Sequence, residues 1–240
     1  MTSQQSLNEG GINMIYVMSD LHGCYEDYIK MLKLINFNDS DYLYILGDVC
    51  DRGKQSMEIL LHMMEHENII PIFGNHDLSS YPHLVKSYNG NLEYNKEFLW
   101  WVTDGGRETL GGFEKLPRNK QDKVLSYIEE FRYYEEINIH GQDYLLVHGG
   151  LRNFDKNKPI SAYKLYDLVW ERPDYDMVYF DDKIIISGHT PTLHIDKNMK
   201  GKIIKKNNHI AIDCGCVFGY GLGCLCLDTM EEFYVYRDVK

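Results

Sequence analysis

Tyr42-Leu43-Tyr44-Ile45-Leu46-Gly47-Asp48-Val49-Cys50-Asp51-Arg52-Gly53 changes character within a few residues: an apolar and aromatic run, a glycine, then two carboxylates, a guanidinium and a second glycine. A short apolar run bounded by turn residues reads as a buried strand, which places Asp48 just beyond the strand's end. The same figure recurs outward in both directions. Asp20-Leu21-His22-Gly23 follows an apolar run at 12–19, Gly74-Asn75-His76-Asp77 follows 69–73, His148-Gly149-Gly150 follows 144–147, and Gly188-His189-Thr190-Pro191 follows 183–187. Helical spacing separates the first three runs, through Tyr28, Met31, Leu32 and Ile35 in 25–35 and through Ile59, Leu60, Met63 and Met64 in 57–67. This β-α-β-α-β order implies parallel strands with right-handed crossovers. It gathers polar residues at strand ends, where open α/β sheets place their sites.

Beyond this unit, 78–113 interrupts the rhythm with Phe98, Trp100, Trp101 and Asp104-Gly105-Gly106-Arg107, and reads as a mostly helical insertion near the site. A helix is expected at 122–131. An antiparallel hairpin is expected from 133–139 and 144–147, turned by His140-Gly141-Gln142-Asp143. Further strands at 183–187, 203–206, 209–213, 224–227 and 233–237 suggest a second sheet packed on the first. We therefore expect one α/β domain over 12–240, preceded by a polar, disordered tail at 1–11. That tail has neither a basic n-region nor an apolar h-region.

No apolar stretch approaches the roughly 20 residues that cross a bilayer, so a cytoplasmic protein without a membrane partner is expected. The formal net charge of −11 argues against a stable nucleic-acid partner, because phosphate-backbone affinity comes from Lys and Arg. Bound divalent cations would nevertheless reverse the local field around a carboxylate-lined site. Among the six cysteines, Cys214-Gly215-Cys216 and Cys224-Leu225-Cys226 on a hairpin would allow a four-thiolate zinc site, although small buried thiols in strands are the commoner reading. His62-Met63-Met64-Glu65-His66 fits the H-x-x-E-H pattern, but its methionines belong to the helix's apolar stripe, which leaves the histidines solvated.

The recurring residue types suit two cations. Asp20 and His22 can converge on one ion at a strand end. Asp48, with two oxygens, can bridge a pair about 3.5 to 4 Å apart. Asn75, His148 and His189 offer an oxygen and two nitrogens to the second ion. Imidazoles with carboxylates, an amide and no thiolate fit manganese, iron or zinc better than magnesium or calcium alone.

On these residues the chain resembles the calcineurin-like metallophosphoesterases, and within them the phosphoprotein phosphatase branch of lambda-type and bacterial serine/threonine enzymes. The resemblance spans Asp20 to Pro191. It implies a four-layer α/β/β/α sandwich of two mixed sheets flanked by helices, and two divalent ions, with manganese favoured. The first ion would be held by Asp20, His22 and Asp48, and the second by Asp48, Asn75, His148 and His189. It further implies in-line attack of hydroxide on phosphorus, with His76 as the general acid. Asp51 would orient and charge that imidazole, and Arg52 and Arg172 would bind phosphate.

Two substrate classes follow. His148-Gly149-Gly150 and Gly188-His189-Thr190-Pro191 match protein phosphatases, so a phosphoprotein is the first expectation. The alternative is a phosphorylated small molecule of the dinucleoside polyphosphate type, such as diadenosine tetraphosphate. The segment around Asp104-Gly105-Gly106 resembles one shared with dinucleotide-cleaving enzymes, with Asp104 in place of the usual Asn. A purely phospho-binding module is disfavoured because His76, Asp51 and Arg52 are all present. The sequence does not fix an oligomeric state.

Overall fold

The computed structural model describes residues 13–236; the expected disordered tail lies outside the described residues. Strands β1 (Ile15–Met18), β2 (Tyr42–Leu46) and β3 (Ile69–Ile72) are parallel neighbours, connected by α1 (Tyr25–Leu34) and α2 (Ser56–Met63). β2 shows why the chain folds this way. Leu43 and Ile45 pack into the cluster beneath the helices, while Tyr44 and Leu46 point to the opposite face, as a period of two requires.

After β3 the chain is helical: α3 (Asn75–Tyr88), α4 (Lys96–Trp101), a π turn over Val102–Gly106, α5 (Arg107–Glu114) and α6 (Arg118–Glu129). α6 starts just after Pro117, earlier than apolar spacing indicated, because its first turn, Arg118-Asn119-Lys120, has no apolar residue to register. Next come the hairpin β4 (Glu135–Ile139) and β5 (Gln142–Val147), α7 (Leu165–Val169), β6 (Lys183–Ser187), α8 (Thr192–Ile195), β7 (Ile204–Lys206) and β8 (His209–Ala211). β9 (Leu222–Cys226) and β10 (Glu232–Val235) complete the described elements.

The strands form two mixed five-stranded sheets, ordered β10-β9-β1-β2-β3 and β4-β5-β6-β8-β7. Val17, Tyr44, Leu46 and Ile72 of the first meet Ile139, Leu146, Ile186 and Ile210 of the second in a shared core. The outer face of the first sheet packs on α1, α2, α3, α5 and α6, and Leu145, Val147 and Ile185 of the second pack against Leu168 of α7. This is the four-layer α/β/β/α arrangement. It differs from the sequence expectation in one respect. β9 and β10 do not join the second sheet; β9 pairs antiparallel with β1, through Tyr16↔Cys226 and Met18↔Cys224. Cys224 and Cys226 thereby face the core under the helices, where alternation alone gave no preference between sheets.

Candidate metal centre

Within each sheet three strands run parallel, β1, β2 and β3 in one and β5, β6 and β8 in the other, and just beyond each of the six ends stands a polar residue: Asp20, Asp48, Asn75, His148, His189 and Asp213. Backbone hydrogen bonds fix the loops against one another. The N–H of Asp20 donates to Gly47 O at 3.1 Å, that of His22 to Asp48 O at 2.8 Å, and that of Gly188 to His148 O at 2.8 Å. Asp20, His22, Asp48, Asp51, Arg52 and His189 all have positive φ, between 41° and 72°. Such a concentration of left-handed, non-glycine backbone is costly and typical of a functional site.

The side chains meet as two overlapping groups. Ligand atoms of His22, Asp48 and His76 all lie within 4.8 Å of one another, as do those of Asp48, His148 and His189, so Asp48 is common to both. Asn75 Oδ1 joins the second group, 2.9 Å from His148 Nε2 and 2.8 Å from His189 Nδ1. Asp20 lies beside these groups rather than inside them, its Oδ2 accepting the His189 backbone N–H at 3.0 Å.

The donor set fits cations. His22 Nδ1 donates to Cys50 O at 2.8 Å and His148 Nδ1 to Leu46 O at 2.7 Å, which leaves only a lone pair on each Nε2. The His148 lone pair faces Asn75 Oδ1 and, at 3.4 Å, Asp48 Oδ1: three acceptors turned toward one point. The His22 lone pair receives Arg52 Nη1 at 2.6 Å, so a positive group already approaches it. Burial pushes His22 and His189 down to about 3 and also lowers His148, keeping these rings neutral as ligands must be. Burial would raise Asp48, but the imidazoles of His148, His76, His22 and His189 hold it low and charged. Asp20 is pushed well up by burial and by the charges of Asp213 and Asp48, and Asp213 rises to about 7, chiefly by burial. Three buried carboxyls so placed call for positive charge.

His76 stands at the edge of the same cluster. Its Nδ1 donates to Asp51 Oδ2 at 2.9 Å, and its Nε2 lies 2.8 Å from Arg52 Nη2 and 3.6 Å from Asp104 Oδ2. Burial opposes its charged form, but the Asp48 charge and the Asp51 hydrogen bond outweigh it and the imidazole is raised. Sequence reasoning missed the residues that hold this pair. Asp51, fully buried, also accepts from Ser80 Oγ at 2.9 Å and from the Trp101 indole N–H at 3.0 Å, while its own N–H donates to Thr109 Oγ1 at 2.7 Å. Asp77 accepts four backbone N–H groups, from Gly74, Asp48, Val49 and Cys50, at 2.8 to 3.0 Å. It lay within a quoted signature, and its place three residues after a glycine at a helix start was the available signal. Asp213 also followed a strand. Gly74 is required for closure, since a Cβ there would stand 2.1 Å from Asp48 Oδ1.

A cavity of about 320 Å³ opens onto the cluster, lined by Asp48, Arg52, Asn75, His76, Asp104, Trp170, Arg172 and His189. Arg172 therefore reaches the same space as Arg52, its Nη1 3.5 Å from Thr190 Oγ1. Other motifs stay apart from it. Cys214 packs in the inter-sheet core while Cys216, Cys224 and Cys226 lie in the core under the helices, so the four thiols form no common site. His62 Nδ1 pairs with Tyr28 OH at 3.0 Å and its ring stacks on His66, leaving both histidines partly buried rather than solvated.

The description "Calcineurin-like phosphoesterase" belongs to a family pattern that matches residues 14–219. The chain belongs to this family. This calcineurin-like phosphoesterase is a dinuclear metallophosphoesterase, a hydrolase. It is 41% identical, over 94% of its own length and 97% of the relative's, to the symmetrical bis(5'-nucleosyl)-tetraphosphatase of Chromobacterium violaceum. It is 28% identical, over 92% and 93%, to the asymmetrical bis(5'-nucleosyl)-tetraphosphatase PrpE of Geobacillus sp. strain WCH70. A solved protein named as a candidate diadenosine tetraphosphatase superposes with a TM-score of 0.67 at 17% identity, covering 96% of each chain, which establishes the shared fold.

Proposed function

We propose that this phosphoesterase hydrolyses bis(5'-nucleosyl) tetraphosphates. The observation that carries the reading is the full-length similarity to two enzymes so named, one of them 41% identical. The signature motifs pointed first to a phosphoprotein, but Asp20, His22, Asp48, Asn75, His148 and His189 handle a phosphorus centre of either kind. The choice of substrate is therefore not written in them.

In this reading Asp20, His22 and Asp48 hold one divalent ion and Asp48, Asn75, His148 and His189 the other. Manganese is favoured, with iron and zinc compatible with the same donors. When bound, the pair supplies an activated nucleophile at neutral pH and neutralises charge on phosphate oxygens. The chain's own groups do the rest. Arg52 and Arg172, entering the cavity from different loops, bind and orient the polyphosphate through planar forks. His76 delivers a proton from Nε2 to the departing phosphate oxygen once Arg52, whose Nη2 donates to that nitrogen at 2.8 Å in this arrangement, has turned to the polyphosphate, and Asp51 fixes the ring by accepting from Nδ1. Trp101, Ser80 and Thr109 keep Asp51 in place.

The test is to load the protein with manganese and to follow diadenosine tetraphosphate and a phosphothreonine peptide side by side by chromatography. Fast appearance of adenine nucleotides with slow phosphate release from the peptide is expected. Two diphosphates as products would show symmetrical cleavage, and a triphosphate with a monophosphate asymmetrical cleavage. Fast dephosphorylation of the peptide with the dinucleotide left intact would reject the proposal.

A further inference from the structure

The metal cavity is polar on nearly every side, so it can grip phosphates but has little with which to recognise a nucleoside. Trp170 is the exception. Its ring forms one wall of the cavity, 6.5 Å from the His189 ring, and is also the middle member of an aromatic row that leads out to the surface. On one side stands Trp100, with ring centroids 6.2 Å apart, and on the other Tyr166, at 6.1 Å with the planes tilted by 35°. The row joins two distant parts of the chain: Trp100 lies on α4, while Tyr166 on α7 and Trp170 immediately after it are neighbours four residues apart.

Trp100 and Tyr166 are 52% and 53% exposed. Their neighbours make the contrast plain. Phe98 and Trp101, on the same short helix as Trp100, are buried at 4% and 1%, with Trp101 bound to Asp51. The helix turns two aromatic residues inward to build the site and leaves the third outside against Trp170. Core packing accounts for Phe98 and Trp101 and does not account for Trp100. About half of each ring's surface is left in water, which forgoes part of the stabilisation that burying it would bring. The Arg152 guanidinium, 5.7 Å above the Tyr166 ring, adds positive charge beside the row.

We infer that Trp100, Trp170 and Tyr166 form a stacking platform for one nucleobase of the substrate. The inference rests on the dinucleoside tetraphosphate reading above and names what selects the nucleoside. Continuity identifies the occupant: a base joined through its ribose to a phosphate in the cavity leaves past Trp170 and meets the rings of Trp100 and Tyr166, tilted from that of Trp170 by 46° and 35°. Stacking on aromatic rings is indifferent to base identity, because every base has a π face. The platform thus favours nucleotides over phosphopeptides without distinguishing strongly among purines.

The experiment compares Trp100→Ala, Trp100→Phe and Tyr166→Ala with the unaltered metal-loaded protein. One readout is KM and kcat for diadenosine tetraphosphate. The other is the inhibition constant of adenosine diphosphate set beside that of pyrophosphate, which has no base, measured on p-nitrophenyl phosphate hydrolysis. Base stacking worth about 1 to 3 kcal/mol predicts a rise of about 5- to 150-fold in KM and in the diphosphate constant for each alanine variant. kcat and the pyrophosphate constant should hold, and Trp100→Phe should recover most of the loss. Equal weakening of pyrophosphate, or unchanged KM in both alanine variants, would overturn the platform while leaving the tetraphosphatase reading intact. If the unaltered protein leaves the dinucleotide uncut, that reading fails. The platform is then still judged by whether the alanine variants lose affinity for the diphosphate alone.

Discussion

His76 and its supports give the sharpest tests at the level of single residues. Replacing His76 by Asn removes the proposed proton donor but none of the proposed ligands, so both metals should be retained while turnover falls by about 10² to 10⁴. The loss should be smaller on a tetraphosphate than on an alkyl phosphoester, because a departing polyphosphate oxygen is less basic and needs protonation less. Stopped assays on both substrate types check this, and an unchanged rate would take His76 out of the mechanism. Trp101→Phe keeps most of the buried ring but deletes the N–H that holds Asp51. A lost hydrogen bond to a charged group predicts roughly a tenfold or greater fall in kcat. KM should be nearly unchanged, because the indole does not reach the cavity; a variant with normal kcat would show that Asp51 does not need it. Asp48→Asn removes the charge shared by both ligand groups, so elemental analysis after dialysis should find less metal than in the unaltered protein.

Among the elements, the π turn between α4 and α5 is the most consequential. Gly105, at φ 115°, accepts the Arg52 N–H at 3.1 Å, and a Cβ on it would stand 2.5 Å from that nitrogen. Gly105→Ala should therefore displace the Arg52 loop, costing about 1 to 3 kcal/mol of stability and most of the phosphate binding; a urea midpoint with parallel KM measurements reads both. An unaltered KM would mean that Arg52 is positioned from elsewhere. This turn also marks where the sequence ceased to be legible. The β-α-β-α-β unit could be read because its strands are short apolar runs and its helices carry regular stripes, and the residues at the strand ends stood out as polar breaks. That 78–113 is mostly helical and near the site could be read from its aromatic residues and glycines, but not which residues touch, since what joins Trp101 and Thr109 to Asp51 is a pair of hydrogen bonds spanning 50 and 58 residues. β9 escaped its correct sheet for a related reason. Alternation tells which face of a strand is apolar but not which partner pairs with its edge.

At the scale of the whole molecule, two sheets meet face to face and their parallel strands end around one centre. Burial in such a body has a pH signature. His209, at the start of β8, is buried with Nε2 2.8 Å from Ser187 Oγ, and burial lowers it from 6.5 to about 3. Its folded pKa lies below its unfolded one, so the unfolded chain takes up the proton first as the solution is acidified. Stability from its neutrality is then full above pH 6.5 and is lost progressively as pH falls toward 3. Raised carboxyls at Asp20 and Asp213 act in the opposite sense, so the comparison must be with His209→Gln, in which they are unchanged. Urea unfolding in the presence of chelator at about pH 7.5 and 5.5 should show a smaller acid-induced loss in the variant. An identical loss would mean that His209 does not contribute. The convergence of those strand ends on a pair of cations is the claim that underlies the proposed chemistry. Anomalous diffraction from manganese-loaded crystals should show two peaks among Asp20, His22, Asp48, Asn75, His148 and His189, with the Asp48 carboxylate between them. A single peak, or density elsewhere with this cluster bare, would contradict it.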